Sequence, residues 1–333
     1  MGLPPFNLEK KISRLPFFLF SINNNFMYKK FILFIVFFVF SLPACENNDY
    51  PYVDLSKRQQ IPQVSQKWSY TYAYLPQYSH LVSFKRQHLL VEYLKQATNL
   101  PIRQIFPDSF SDHMKMFGEG SLDISYSNPF VYVKLAHRYG AKAIARVVEK
   151  SGKAEFRGQI IARKDHPQIK TIQDLRGKSW IAVDPSSAGG YLFVLGYLQD
   201  HGLGLKDFSQ ISFATGAGGK QEQVVLNVYL GKYDFGSIRE GTLEVLQNDI
   251  DISKIKVLAN TPWYPGWVFA LRPNLPEEDA QKIKKALLSL DIHNPDQAPI
   301  LKNAGFIKII PAKDEDYDPI RKLCKKLKIN LDE

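Results

Sequence analysis

The sequence predicts an α/β protein built as two domains, and three observations carry that reading. At 333 residues and 38.1 kDa the chain exceeds the size at which a single hydrophobic core usually stops growing. Hydrophobic residues make up 45% and charged residues 23% of it, a balance that suits a folded chain rather than a disordered one. From Trp68 onward, strand-like runs alternate with stretches of helical periodicity, the order expected of α/β architecture and not of a sandwich or a helical bundle.

The first segment reads as an address. Met27-Tyr28-Lys29-Lys30 precedes the apolar run Phe31 to Phe40, which leads into Ser41-Leu42-Pro43-Ala44-Cys45. A basic start, an apolar centre and a small residue before the cut describe a signal peptide over 27–44, and the run is short for a bilayer span. An uncleaved N-terminal anchor is the alternative. Leu42-Pro43-Ala44-Cys45 resembles the bacterial lipobox, which implies cleavage before Cys45 and a lipid on that cysteine. Residues 1–26 lie upstream, so translation is expected to start at Met27. Residues 45–66 are too polar to order themselves and read as a tether. The net charge of +10 and the 22 Phe are therefore partly properties of the address, and the body is only moderately basic.

Within the body, Trp68 to Leu75 alternates and ends at Pro76, as a strand does, and Leu81 to Gln96 has helical spacing. Ile102 to Phe106 reads as a strand, Phe110 to Phe117 as a helix closed by Gly118 and Gly120, and Leu122 to Tyr126 as a strand. Asn128-Pro129 opens a helix to Tyr139, with Pro tolerated in the first turn. Strands are expected over Ala143 to Glu149 and Phe156 to Arg163. Thr171 offers a cap for a short helix that Gly177 ends. Trp180 to Val183 is a buried strand, followed by Asp184 to Gly190 as a loop and a helix from Tyr191 to His201. The pattern repeats: strand Gln210 to Ala214, a Gly-rich Thr215 to Gly219, helix Gln221 to Leu230, strand Tyr233 to Ser237, helix Gly241 to Gln247 and strand Ile255 to Leu258. The end reads as mainly helical.

Few residues nominate chemistry. Cys45 and Cys324 match no ligand spacing, which excludes a thiolate zinc site, and the seven His form no cluster, so no metal or cofactor is expected. Ala214-Thr215-Gly216-Ala217-Gly218-Gly219-Lys220-Gln221 approaches a P-loop but has Ala214 for the first glycine and Gln221 for the Ser/Thr. No nucleophile elbow or zincin motif occurs, and the chain reads as a non-enzyme. The loop Ser186-Ser187-Ala188-Gly189-Gly190 before Tyr191 suits an anion at a helix N-terminus, or a plain serine cap. Lys220 and Gln221 open a second helix that faces the same ligand, or else Lys220 is solvated. Arg157, Arg163 and Arg239 complement an anion, although Arg239-Glu240 is equally a surface pair. Trp263, Tyr264 and Trp267 form a cleft wall or ordinary interdomain packing. Basic residues are scattered, which argues against nucleic acid.

The order of these features resembles the phosphate/phosphite/phosphonate branch of the type II periplasmic solute-binding proteins that serve ABC importers. The resemblance runs from about Trp68 to Pro273. Its carriers are Gly118-Glu119-Gly120-Ser121-Leu122-Asp123-Ile124, Ser127-Asn128-Pro129-Phe130, Thr171-Ile172-Gln173-Asp174-Leu175-Arg176-Gly177-Lys178, Val183-Asp184-Pro185-Ser186-Ser187 and Leu230-Gly231-Lys232-Tyr233-Asp234. It implies two α/β lobes joined by a two-strand hinge, with lobe 1 over 67–160 and 265–333 and lobe 2 over 161–264. It also implies a monomer on the extracytoplasmic face of the cell envelope, lipid-anchored, holding a small anionic solute for an ABC permease. A ligand-sensing domain partnering a sensor kinase is the alternative, and an extracytoplasmic hydrolase a third. The family grips its oxyanion with tyrosines, a Ser-Thr pair and a histidine. Here Ser187 is kept, the tyrosine positions fall on Phe110 and Phe156, the threonine on Ala188 and the histidine on Gln221; Asn128, Arg157 and Arg239 complete the candidate site. A start at Met27 predicts that replacing Met27 abolishes the secreted protein on an immunoblot, whereas replacing Met1 leaves it unchanged.

Overall fold

The computed structural model describes residues 69–216 and 219–332; the signal segment, Cys45, the tether, Ala217 and Gly218 lie outside them. The strands are β1 (Tyr70–Tyr74), β2 (Ile102–Gln104), β3 (Ile124–Ser127), β4 (Lys142–Glu149), β5 (Glu155–Phe156), β6 (Gly158–Arg163), β7 (Ser179–Ala182), β8 (Gln210–Phe213), β9 (Phe235–Arg239), β10 (Ile255–Asn260), β11 (Tyr264–Pro265), β12 (Val268–Leu271) and β13 (Phe306–Pro311). The helices are α1 (His80–Thr98), α2 (Phe110–Gly118), α3 (Pro129–Tyr139), α4 (Phe193–Asp200), α5 (Lys220–Tyr229), α6 (Thr242–Val245), α7 (Glu277–Leu288), α8 (Ala298–Ala304) and α9 (Asp318–Lys326).

Two sheets organise the body. One has six strands in the order β13-β4-β12-β3-β1-β2, the other five in the order β10-β6-β9-β7-β8. In the first, β1 lies between parallel neighbours β2 and β3; in the second, β7 lies between parallel β8 and β9. Each of these two strands, one in from an edge, is thus a point where connections leave in opposite directions. The chain passes from the first sheet to the second at β5 and returns at β11, and these two pair antiparallel through Tyr264 with Phe156 and Pro265 with Glu155.

Local chemistry sets the element ends. The Asn128 side chain caps α3 by accepting from Phe130 N at 2.9 Å and Val131 N at 3.0 Å, and Gly140 closes the helix at φ +70°, a conformation that favours glycine. In the second lobe Trp180 is fully buried and stacks on Phe235 at 5.8 Å. The first core closes around Tyr72, Phe117, Tyr132 and Phe269. Cys324, on α9, is a free, buried thiol, and burial pushes its pKa up to about 11.

Four expectations need correction. Phe156 to Arg163 is not one strand, because the chain leaves the small ribbon at Arg157 and enters the second sheet at Gly158; Gly158 to Ile160, expected in lobe 1, therefore pair with β9. The C-terminal part is not mainly helical: β12 sits between β3 and β4, and β13 forms the edge beyond β4. Thr171 caps no helix; instead Asp174 reaches back to accept from Lys170 N, Thr171 N and Thr171 Oγ1. The helix expected from Tyr191 begins earlier, as a π-helical turn over Ala188–Leu192 that runs into α4, so Ser186 and Ser187 sit directly before a helical segment.

Two predictions follow from packing and charge. A Cβ on Gly158 would lie 2.3 Å from the Gly189 carbonyl oxygen, so Gly158→Ala is expected to destabilise by about 1–3 kcal/mol through overpacking, read in denaturant melts. Burial pushes the Asp234 pKa up, but the bonds it accepts from Ser179 N, Ser179 Oγ and His166 outweigh this and hold it below the ordinary value. A depressed carboxylate stabilises above its unfolded pKa of about 3.9 and loses that stabilisation as pH falls through its folded value. Asp234→Asn is therefore expected to lower stability at neutral pH, with the gap to the parent closing in melts below about pH 4.

Candidate functional site

The C-terminal ends of β1 and β7 face one crevice. After β1 the chain runs through Leu75-Pro76-Gln77-Tyr78, and after β7 through Val183-Asp184-Pro185-Ser186-Ser187. Such strand ends are where open α/β sheets place ligands.

Protein groups fill the serine loop. Ser187 Oγ accepts from Gly190 N at 3.2 Å, so its hydroxyl caps the π-helical turn. Asp184 accepts from Ser186 N at 2.9 Å and from Lys220 Nζ at 2.7 Å. From the first lobe, Asn128 Nδ2 donates to the Ser186 carbonyl at 3.2 Å and Lys134 Nζ to Ser186 Oγ at 3.3 Å. Lys220 is buried, not solvated, with its ammonium 5.6 Å from the centre of the Phe110 ring. Gln221 Oε1 accepts from Arg239 N at 3.0 Å, and its Nε2 lies 3.4 Å from Gln77 Oε1 across the crevice. The glycines serve packing: a Cβ at Gly189 would lie 2.9 Å from the Phe156 ring, and one at Gly190 2.3 Å from Val183. Tyr191 stacks on Trp180 inside the second lobe, and Ala188 is buried in the first core.

Open space lies beside this loop, in a cleft of about 570 Å³. The first lobe lines it with Tyr74, Tyr78, Arg86, Tyr126 and Glu149, the second with Arg239 and Thr242, and the two crossings with Phe156, Trp263 and Trp267. Tyr74 and Tyr126 stack at 5.4 Å, and Trp267 tilts against both at 5.5 and 5.3 Å. Burial pushes the hydroxyls of Tyr74 and Tyr126 above the ordinary tyrosine pKa, so they are neutral donors at physiological pH.

Arg239 spans the cleft. Its Nη2 meets both Glu149 oxygens, at 2.6 and 2.7 Å, and its guanidinium lies 5.3 Å from the Phe156 ring and 5.9 Å from the Trp267 ring. Burial alone would lower the Arg239 pKa, but the Glu149 charge outweighs it and the net shift is upward. Arg157 instead holds Glu240 at 2.5 Å and covers Trp263 at 4.6 Å, so Arg239 and Glu240 belong to separate pairs and form none together. Arg163 binds Asp165 on the surface. Of the residues singled out in the sequence, Phe156, Arg239, Trp263 and Trp267 line the open cleft, while Tyr264 packs on Phe193 at 4.2 Å. Tyr74, Tyr78, Arg86, Tyr126 and Glu149 escape sequence reading; the sole hint is tyrosine at alternate positions 70, 72 and 74 of β1.

Two α/β lobes, two crossings and a cleft at paired switch points define the type II periplasmic binding fold. Residues 72–317 match the family described as ABC transporter, phosphonate, periplasmic substrate-binding protein, and the chain belongs to that family, whose members are solute-binding subunits of importers and not enzymes. It is 23% identical over 259 residues to the phosphate-import protein PhnD of Mycolicibacterium smegmatis, covering 71% of this chain and 78% of that protein. PhnD1 of Prochlorococcus marinus, solved with methylphosphonate, superposes with a TM-score of 0.71 at 18% identity, over 79% of this chain and 100% of that one. A binding component of a Pseudomonas aeruginosa phosphonate transporter gives 0.70 at 19% identity, over 78% and 86%. These likenesses show the fold. No helix among the described residues is long and apolar enough to cross a membrane.

Because Trp263 and Trp267 line the cleft while Trp180 is fully buried in the second lobe, ligand entry is expected to change tryptophan emission. A Trp263→Phe/Trp267→Phe variant is expected to lose that response while keeping the Trp180 signal, read in fluorescence titrations.

Proposed function

We propose that this chain is a lipid-anchored, monomeric binding protein outside the cytoplasm that captures a small oxyanionic solute of the phosphonate, phosphite or phosphate kind between its lobes and passes it to an ABC permease. The carrying observation is Arg239, a partly buried guanidinium in a cleft furnished with neutral phenol donors and a second arginine, Arg86. Charge-assisted hydrogen bonds of this sort contribute about 1.5–3 kcal/mol each, so a few suffice for micromolar affinity. The relatives support the solute class: one is named for phosphate import and one was solved with methylphosphonate. The division into lobe 1 (67–160 and 265–333) and lobe 2 (161–264), moved back to Gly158 by the pairing of β6, gives a body that closes on its solute by bending at the crossings. The anchor rests on Leu42-Pro43-Ala44-Cys45.

Calorimetric titration with methylphosphonate, phosphite and inorganic phosphate is expected to give saturable heat with at least one of them. Silence with all three, and with larger organic phosphonates, overturns the oxyanion reading. Cys45→Ser is expected to move the protein from the membrane to the soluble fraction without changing binding.

A further inference from the structure

Glu149 occupies the place on Arg239 that a ligand oxyanion would take. Resting on the reading above, we propose that the anion receptor of this cleft is the cluster Arg239, Arg86, Tyr126 and Trp267 rather than the serine loop. Glu149 is then the group that an incoming ligand displaces, and the ligand is an organic phosphonate or phosphate monoester whose body lies on the aromatic walls.

Two unmet donors point to a missing acceptor. Trp267 is 2% exposed and its Nε1 has no hydrogen-bond partner among the described residues; Tyr126, 5% exposed, lies against it with the ring centres 5.3 Å apart. Both line the cleft. A buried donor left unsatisfied is costly and calls for an explanation. Arg86, lining the same space, holds the Ala304 carbonyl through Nη2 at 3.1 Å, yet its buried Nε is also unpartnered.

One Arg239 nitrogen, Nη2, already donates to both oxygens of the Glu149 carboxylate, and a guanidinium recognises carboxylate and phosphate alike. Glu149 ends β4 and enters a turn, where Gly152 N donates to its carbonyl at 2.9 Å, so the side chain can leave Arg239 while the backbone stays paired. In the serine loop the oxygens already serve the protein as acceptors, Ser187 Oγ from Gly190 N, Ser186 Oγ from Lys134 and the Ser186 carbonyl from Asn128. Size decides the ligand class. A cleft of about 570 Å³ falls within the roughly 300–1,000 Å³ typical of sites for organic ligands, whereas a bare phosphate displaces only a few waters of about 30 Å³ each.

The test uses the full chain in detergent, titrated calorimetrically with phenylphosphonate and inorganic phosphate, with melts checking that each variant is folded. Phenylphosphonate is expected to bind at least tenfold more tightly than phosphate. Glu149→Gln, which removes the competing charge, is expected to tighten phenylphosphonate binding at least tenfold, and Arg239→Gln to weaken it at least a hundredfold. If Arg239→Gln does not fold, Arg239→Lys keeps the charge, loses the fork and is expected to cost at least tenfold. Ser187→Ala is expected to stay within threefold of the parent. Loss of binding in Ser187→Ala with Arg239→Gln or Arg239→Lys unaffected, weaker binding in Glu149→Gln, or a preference for phosphate overturns this inference and leaves the oxyanion reading standing. No binding of either probe by the parent and by Glu149→Gln overturns this inference, and the oxyanion reading falls with it when methylphosphonate and phosphite are silent as well.

Discussion

The site depends on one constraint: the chain passes between its two sheets at β5 and β11, and these two segments are bonded to each other. Gly266 N donates to the Ala154 carbonyl at 2.9 Å, and a Cβ on Gly266 would lie 2.7 Å from that oxygen. On the second-lobe side Gly158 N donates to Thr261 Oγ1 at 2.9 Å, and Thr261 N returns a bond to the Gly158 carbonyl at 3.0 Å. A ribbon pinned in this way can twist or bend but not slide, so motion between the lobes reduces to a hinge. Its side chains become the floor of the crevice, which is why Phe156, Trp263 and Trp267 meet the same open space as tyrosines from β1 and β3.

Charge at the lobe interface is paired on both sides of that floor. Lys220 meets Asp184 within the second lobe, and Arg239 meets Glu149 across the cleft. Removing charges from water costs several kcal/mol per ion before the partner repays it, so such pairs add little net stability while discriminating strongly against arrangements that leave one member alone. Asn128, Lys134 and Gln77 add hydrogen bonds between the lobes, each contributing about 0.5–1.5 kcal/mol net. The lobes are therefore joined by polar contacts as well as by the apolar packing of Ala188, Leu192 and Phe193 on the first core.

The fold is legible where local chemistry and tertiary packing agree. Asn128-Pro129 and Gly140 bracket α3, and the alternating Tyr70, Tyr72 and Tyr74 mark β1, because caps and pleats are written in neighbouring residues. Val268 to Leu271 is not legible as a central strand. It is short, buried on both faces and preceded by Pro265 and Gly266, and periodicity cannot say that it inserts between β3 and β4. The break at Arg157 is equally silent, since a strand that changes sheets keeps its alternation. In the site, Gly189 and Gly190 are legible as positions that need glycine, but the physical reason is the approach of Phe156 and Val183 rather than of an anion. Arg239 and Phe156 can be picked out from their surroundings in the sequence. Glu149, Arg86 and Tyr126 have no local signature, because only folding brings residues so far apart in the chain to one wall.

The buried thiol of Cys324 has a consequence for a protein working outside the cytoplasm. Oxidation and thiol exchange proceed through the thiolate, and a group whose pKa is pushed up to about 11 supplies almost none of it at neutral pH. With α9 seated, Cys324 is shielded by burial from an oxidising environment. The modified form then accumulates only at the pace at which the last helix lifts away, so the redox history of one atom records how often the C-terminal end has come undone.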